Sequence, residues 1–287
     1  MQEKMIMQEE EGTFKGVEGK SIYYQCKVPE EGAKAPLLVV HGLAEHGGRY
    51  GNIVDHFVPR GYAVYSFDLP GHGKSGGRRC FIDSFQEYLD TLKTFRDMVS
   101  RWQSGKPLFL LGHSMGGLIA AVFLIDRPHD VNGAILSAPA VSFPEDISPT
   151  TMFIGKVLSN IATRMGLTKL DAAAISRDTA VVAEYESDPM VHHGKVSARL
   201  GAEILRSMER VSLEAGAITA PLLIMQGGDD RLVSPDGAKM LYEKAGAADK
   251  TLKTYDGLYH EIFNEPEREQ VLKDAEQWLE ERLPSQP

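Results

Sequence analysis

The chain has 287 residues, 43% of them hydrophobic and 25% charged, enough to bury a sizeable core in one large or two small domains. Its net charge of −9 excludes the basic face of a nucleic-acid binder, and its two cysteines, Cys26 and Cys80, exclude a disulfide framework. Residues 1–12 are acidic and lack the basic and apolar regions of a signal peptide, and no run nears the about 18 apolar residues of a bilayer span, so a cytoplasmic protein is expected.

In chain order, a strand over 21–28 follows a hairpin partner near 12–17. Ala35-Pro36-Leu37-Leu38-Val39-Val40 is an unbroken apolar run ending at His41-Gly42, the pattern of a strand buried on both faces. A helix is predicted over 50–59, with Ile53, Val54, Phe57 and Val58 on one side, and Gly61 closes it. Residues 62–67 read as the next buried strand and 68–77 as a loop. Ser84-Phe85-Gln86-Glu87 fits a capping box, and Phe85, Leu89, Leu92, Val99 and Trp102 recur at helical spacing, which predicts a long amphipathic helix to about residue 103.

Leu108-Phe109-Leu110-Leu111 predicts one short buried strand, and a second apolar segment runs on to about residue 127, where Pro128 closes it. Between them stands Gly112-His113-Ser114-Met115-Gly116, the G-x-S-x-G pattern of a nucleophile elbow. A reactive serine hydroxyl must stand clear of the sheet on a sharp strand-to-helix turn. A Cβ two residues to either side would collide with a neighbour, so Gly112 and Gly116 are the permissive residues. The following helix aims its N-terminal N–H groups and positive dipole end at the reacting centre. A strand over 131–136 comes next.

From about 140 to 218 the alternation gives way to helical patterning, with Ile154, Val157, Leu158 and Ile161 in one piece and further pieces over 172–185 and 197–211. Strand, helix, strand and helix resume at 221–226, 235–245, 251–255 and 267–282. Alternating units of this kind predict an α/β fold, a mostly parallel open sheet with helices on both faces. The expected division is a core of 1–139 and 219–287 with a helical cap inserted over 140–218. Ligands of such sheets bind at the carboxyl ends of the strands, and the insertion is expected to cover that crevice.

A serine is inert at neutral pH unless an oriented base takes its proton. Of nine histidines, His260 lies just past the last predicted strand, at the same edge as Ser114, and the chain order serine, acid, histidine is that of α/β-hydrolases. His113 is expected to pack, pointing away from the neighbouring hydroxyl, and His129, His192 and His193 to be solvated. The acid should leave the preceding strand, where Gly227-Gly228-Asp229-Asp230 offers two carboxylates, only one of which can face His260. Asp230 is favoured because the turn needs both glycines before the carboxylate swings back, which leaves Asp229 as a solvated turn residue. The oxyanion of a tetrahedral intermediate needs N–H donors. The N–H of Met115 is one, and the N–H of Leu43, in His41-Gly42-Leu43-Ala44-Glu45-His46, is the candidate for the other. The chain has no His-Glu-x-x-His or comparable ligand cluster, so no metal and no cofactor are expected.

The His41 to His46 loop, the loop from Asp68 to Ser75, the elbow, Gln226 to Leu232 and Tyr259-His260-Glu261 together resemble the serine α/β-hydrolases of the monoacylglycerol lipase group. Ile175-Ser176-Arg177-Asp178 and Tyr185-Glu186-Ser187-Asp188-Pro189 are similar to cap segments of that group, and the likeness runs from about residue 12 to 280. It implies Ser114, Asp230 and His260 as the catalytic triad, Leu43 and Met115 as oxyanion donors, and Glu45 and Arg49 near the polar head-group end of the pocket. For the last two, a local ion pair that shapes the loop is the alternative. The implied substrate is a small lipid ester, a monoacylglycerol cleaved to fatty acid and glycerol through an acyl-enzyme on Ser114. Lysophospholipids and other short- or medium-chain carboxylesters are the alternatives, and a non-catalytic ligand-binding homologue the remote one. Serine at position 114 argues against epoxide hydrolase and haloalkane dehalogenase relatives, which carry aspartate there. Met152, Phe153, Ile154, Val157 and Leu158 serve either as core of the insertion or as lipid contacts, and an exposed apolar patch there would give the cap transient contact with a membrane surface. The chain departs from mammalian members at Leu43 and Ala44, where smaller residues are usual.

Overall fold

The computed structural model describes residues 7–142, 163, 166 and 170–284. Among them, β1 (Met7–Lys15), β2 (Ser21–Pro29), β3 (Ala35–Val40), β4 (Tyr62–Phe67), β5 (Phe109–His113), β6 (Gly133–Ser137), β7 (Leu222–Gly227) and β8 (Lys250–Tyr255) form one sheet in the order β1-β2-β4-β3-β5-β6-β7-β8. The two strands β1 and β2 join antiparallel, and every pairing from β4 to β8 is parallel. The helices are α1 (Gly51–Phe57), α2 (Gln86–Trp102), α3 (Met115–Asp126), α4 (Thr179–Ser187), α5 (Ala198–Glu214), α6 (Pro235–Lys244) and α7 (Arg268–Glu280).

The unbroken apolar runs encode a sheet covered on both sides. All six residues of β3 are buried, and alternate ones serve opposite cores. Leu37 and Val39 join Ile53 and Phe57 of α1 and Val271 and Trp278 of α7. Leu38 and Val40 join Tyr88 and Phe95 of α2 and Leu118 and Val122 of α3. Each such aliphatic side chain contributes about 1.5–3 kcal/mol by leaving water. Every residue of α3 from 115 to 124 is buried, so this helix is apolar all round and lies between layers.

The elements predicted within the described residues are present with shifted ends, each for a local reason. β1 begins at Met7 rather than near residue 12, because a sheet edge can extend by backbone pairing alone. Its exposed Gln8, Glu9 and Glu10 carry no hydrophobic alternation and suit an edge that must not aggregate. The helix over 50–59 stops at Phe57, and a 3₁₀ turn, Val58–Arg60, containing Pro59 leads to Gly61 at φ 86°. The capping box closes one residue early: Glu87 Oε1 accepts from the Asp83 N–H at 2.8 Å and the Ser84 N–H at 3.4 Å. The 172–185 piece divides into a 3₁₀ turn, Ala172–Ala174, and α4, which starts where the Asp178 carboxylate accepts the Ala180 N–H.

Between β6 and β7 the described residues add no strand to the sheet. The helical piece expected at Ile154 to Ile161, with Met152 and Phe153, lies outside the described residues. In α5, Leu200, Ile204, Met208 and Val211 share the core with α3. Cys26 and Cys80 are free and buried, with thiols pushed up by burial to about 11 and about 12. No helix among the described residues is long and apolar enough to cross a membrane. Strand β3 has β4 on one side and β5 on the other, so the order reverses there and leaves a crevice outside the carboxyl ends of the strands.

Candidate active site

Strand β5 ends at His113 and α3 begins at Met115, so Ser114 alone makes the turn between them. Its φ of 53° and ψ of −118° are costly for a residue with a Cβ. The surroundings hold it there: its N–H donates to Ser137 O at 2.9 Å, and its carbonyl accepts from the Leu118 and Ala140 N–H groups at 3.0 Å each. The flanking glycines are required by close backbone approach. A Cβ on Gly116 would lie 2.1 Å from Val40 O, and one on Gly112 would lie 2.4 Å from Gly116 O.

The chain leaves β7 through Gly227, where a Cβ would meet Tyr259 O at 2.1 Å, so the loops after β7 and β8 touch. That contact brings Asp230 to His260. His260 Nδ1 lies 2.8 Å from Asp230 Oδ2, which also accepts from Gln226 Nε2 at 2.9 Å, while Oδ1 accepts the Leu232 and Val233 N–H groups at 2.8 and 3.1 Å. Burial by itself would raise the Asp230 carboxyl. The charge and hydrogen bond of His260, then the two N–H donors, bring it below the ordinary carboxylate value. Burial likewise opposes a charge on His260, and Asp230, followed by Glu261 and Glu45, outweighs it, so the imidazole sits above its ordinary value. Asp229 is exposed.

With Nδ1 engaged, Nε2 is the nitrogen of His260 able to take a proton. Ser114, His260, Leu43 and Met115 line one cavity of about 70 Å³. Among the described residues the N–H groups of Leu43 and Met115 have no hydrogen-bond acceptor. A hydroxyl on a sharp turn, a carboxylate-oriented imidazole and two unbonded N–H groups around one cavity can together carry out acyl transfer. Among the described residues no group of three or more His, Cys, Asp or Glu could hold a metal ion.

Glu45 lines the same cavity, but the Arg49 side chain lies behind it and lines a smaller adjoining cavity. Its guanidinium is bonded to Glu45 Oε2 at 3.0 Å and to both carboxylate oxygens of Glu261 at 2.6 and 2.9 Å. His113 also lines the cavity. It is buried with Nδ1 3.2 Å from Ser137 Oγ, and burial, then the nearby His260, push it down to about 4, so it is neutral near pH 7.

Sequence reasoning gave no role to several groups that shape this site. Gln226 supports Asp230, and Tyr50 donates from its hydroxyl to Glu45 Oε1 at 2.9 Å. Glu265, fully buried, accepts from the N–H groups of Tyr259 and Arg177 and from Arg177 Nε at 2.8 Å, tying the inserted segment to the His260 loop. The Glu261 N–H donates to Ile175 O at 2.7 Å, and on the opposite side Asp188 meets His46 Nε2 at 2.8 Å. The available signal was a pair of glutamates, Glu261 and Glu265, embedded beside Ile262 and Phe263, since a carboxylate in apolar company is held there by partners.

Residues 31–267 match the protein family described as serine aminopeptidase, S33. The chain is 38% identical to the monoacylglycerol lipase of Mycolicibacterium smegmatis over 273 residues, which span 95% of this chain and 98% of that one. The crystal structure of a monoacylglycerol lipase from Paleococcus ferrophilus superposes with a TM-score of 0.81 at 33% identity, covering 96% of this chain and 99% of that one. A soluble variant of the monoglyceride lipase from Saccharomyces cerevisiae, in complex with a substrate analogue, gives a TM-score of 0.86 at 27% identity and covers 96% of each chain.

Proposed function

Since the chain belongs to the serine aminopeptidase S33 family, we propose that it is a serine carboxylester hydrolase cleaving monoacylglycerols to fatty acid and glycerol. One observation supports the reading above all others: Ser114, on its strained turn, shares a cavity with a histidine already oriented by a buried carboxylate. In this reading His260 Nε2 takes the Ser114 proton as Oγ attacks the ester carbonyl, and the oxyanion is held by the Leu43 and Met115 N–H groups. The imidazolium, stabilised by Asp230, then protonates the departing glycerol oxygen. Water, activated by the same imidazole, cleaves the acyl-enzyme and restores the serine.

Leu170, Ile175, Ile204, Leu232 and Val233 offer an apolar wall for the acyl chain, while Glu45, Glu261 and Tyr185 make the end we assign to the leaving alcohol, with Arg49 behind them. Residues 1–139 and 219–287 are assigned to the hydrolase core and 140–218 to the insertion, through which transient contact with a lipid surface would deliver the amphiphilic substrate to a cytoplasmic enzyme. The test is a hydrolysis panel of monoacylglycerols of graded length beside di- and triacylglycerols and lysophosphatidylcholine, run on the wild type and on Ser114→Ala. Fatty acid should be released fastest from monoacylglycerols by the wild type and not at all by the variant. Faster release from lysophosphatidylcholine would move the assignment to a lysophospholipase, and turnover by the variant would remove Ser114 from the chemistry.

A further inference from the structure

The loops after β3 and β8 carry opposite halves of the proposed machinery, the Leu43 N–H and His260. In the sheet β5, β6 and β7 lie between those two strands, so no ladder bond fixes one loop against the other. A continuous run of buried polar contacts does. Glu45 Oε1 accepts the N–H of Gly42 at 2.6 Å, the peptide next before Leu43, and its Oε2 lies 3.0 Å from Arg49 Nη1. The same Nη1 meets Glu261 Oε1, and Nη2 meets Glu261 Oε2, so the guanidinium grips the residue next to His260 with both prongs. Each of the three side chains is at most 8% exposed. The ring of Tyr185, from α4, lies over the guanidinium with 4.8 Å from Cζ to the centroid, and Asn264 Nδ2 adds a 2.8 Å bond to Glu261 Oε2.

We propose that Arg49 is a positioning residue of the reaction: held between Glu45 and Glu261, it locks the oxyanion loop to the loop that carries the base. The proposal rests on the roles assigned above to Leu43 and His260. A planar fork fixes direction as well as distance, whereas a lysine supplies only a point charge. The strut also carries charge to the base. The charged and titratable groups facing His260 among the described residues are Asp230 from the loop after β7, Glu261 beside it, Glu45 from the loop after β3, and neutral His113 at the end of β5, whose ring centroid is 4.8 Å away. Two carboxylates against one guanidinium leave the strut negative, and both carboxylates act on the imidazole that must hold a proton in the proposed reaction.

The experiment compares Arg49→Lys and Glu261→Gln with the wild type, measuring kcat and KM on a monoacylglycerol and on p-nitrophenyl butyrate, the pH profile of kcat/KM, and Tm. Fluorophosphonate titration of Ser114 counts competent sites, so kcat refers to folded enzyme. Arg49→Lys keeps the charge and loses the fork; kcat should fall on the order of 100-fold, the penalty of a displacement near 1 Å, with KM little changed. Glu261→Gln leaves Arg49 paired with Glu45; kcat should fall and the acid limb should move to lower pH, because a negative charge beside the imidazolium is gone. Wild-type kcat per titrated site in Arg49→Lys, with only Tm lowered, would overturn the proposal and leave the residue a structural one. Should Arg49→Lys not fold, Glu261→Gln decides: wild-type kcat with an unmoved limb overturns it. A wild type inactive on monoacylglycerol yet active on the p-nitrophenyl ester would sink the proposed substrate while the strut is still judged on the second ester.

Discussion

Replacing Asp230 by asparagine tests the base assignment most sharply, because the surrounding hydrogen bonds dictate how the amide must lie. The Leu232 and Val233 N–H groups donate to Oδ1 and would keep the amide oxygen there, so the NH₂ falls at the Oδ2 position. That position faces His260 Nδ1 and Gln226 Nε2, at 2.8 and 2.9 Å, both of them donors in the wild type. His260 relieves the clash by moving its proton to Nε2, the nitrogen that has to accept from Ser114. The geometry survives and the tautomer is wrong, a situation that costs about 10⁴-fold in kcat, or about 5.5 kcal/mol of transition-state stabilisation. The assay is steady-state hydrolysis of a monoacylglycerol, with near-ultraviolet circular dichroism to show that the variant is folded. Asp229→Asn is the control. Its side chain is exposed, and activity should stay near wild type. A folded Asp230→Asn with activity within tenfold of wild type, or equal losses from the two variants, would refute the reasoning.

The remaining expectations concern pH, packing, the insertion and metal dependence. His260 must be neutral to accept a proton, and its surroundings favour the charged form, so kcat/KM should fall as pH drops through an acid limb lying above the ordinary imidazole value of about 6.5; a limb below that value contradicts the charge arrangement described. Gly116→Ala drives a methyl into Val40 O and His41 O, both backbone atoms, and should destabilise by about 3 kcal/mol or prevent folding, read as Tm or soluble yield. Glu265→Ala strips the acceptor from two backbone N–H groups and from Arg177, and should cost about 3 kcal/mol in urea unfolding and loosen the inserted segment, read as faster proteolysis near Arg177. Activity should be unchanged by EDTA, since the chemistry described needs only side chains and water; a loss reversed by added Zn²⁺ would bring in a metal.

Two kinds of information in the sequence behaved differently. The sheet was legible because a strand covered on both faces must be apolar at every position, and Ala35 to Val40 can be read that way without any partner in view. The elbow was legible because Gly112 and Gly116 answer to collisions that any such turn would produce, although the atoms that exclude a Cβ at Gly116, Val40 O and His41 O, lie more than 70 residues earlier in the chain. The choice of Asp230 over Asp229 followed from the same kind of constraint, two glycines at a tight exit. What could not be read were contacts with no local period. Arg49 and Glu261 are 212 residues apart, and nothing near either position requires the other. The acidic start of β1 failed differently, because an edge strand is held by backbone pairing and carries no hydrophobic alternation to detect.

The charges buried around His260 explain why the site contains more carboxylates than the proposed triad needs. Asp230, Glu45 and Glu261 face His260, the last two are paired with the Arg49 guanidinium, and His113 is held neutral. With His260 neutral the cluster carries two net negative charges, and with His260 protonated it carries one. Charge is concentrated among buried groups, where electrostatic interactions are stronger than in water, so protonation relieves repulsion within the cluster. Interactions that strengthen on the way to the transition state accelerate a reaction, whereas those equal in both states do not. In the proposed mechanism Glu45 and Glu261 therefore assist the first proton transfer although neither needs to touch the reacting ester. Arg49 prevents the two carboxylates from repelling one another apart while leaving their surplus charge facing the imidazole. Turned into the cavity, the same guanidinium would offer an anionic head group a partner and would oppose the imidazolium, which makes its position behind Glu45 a condition for a basic His260.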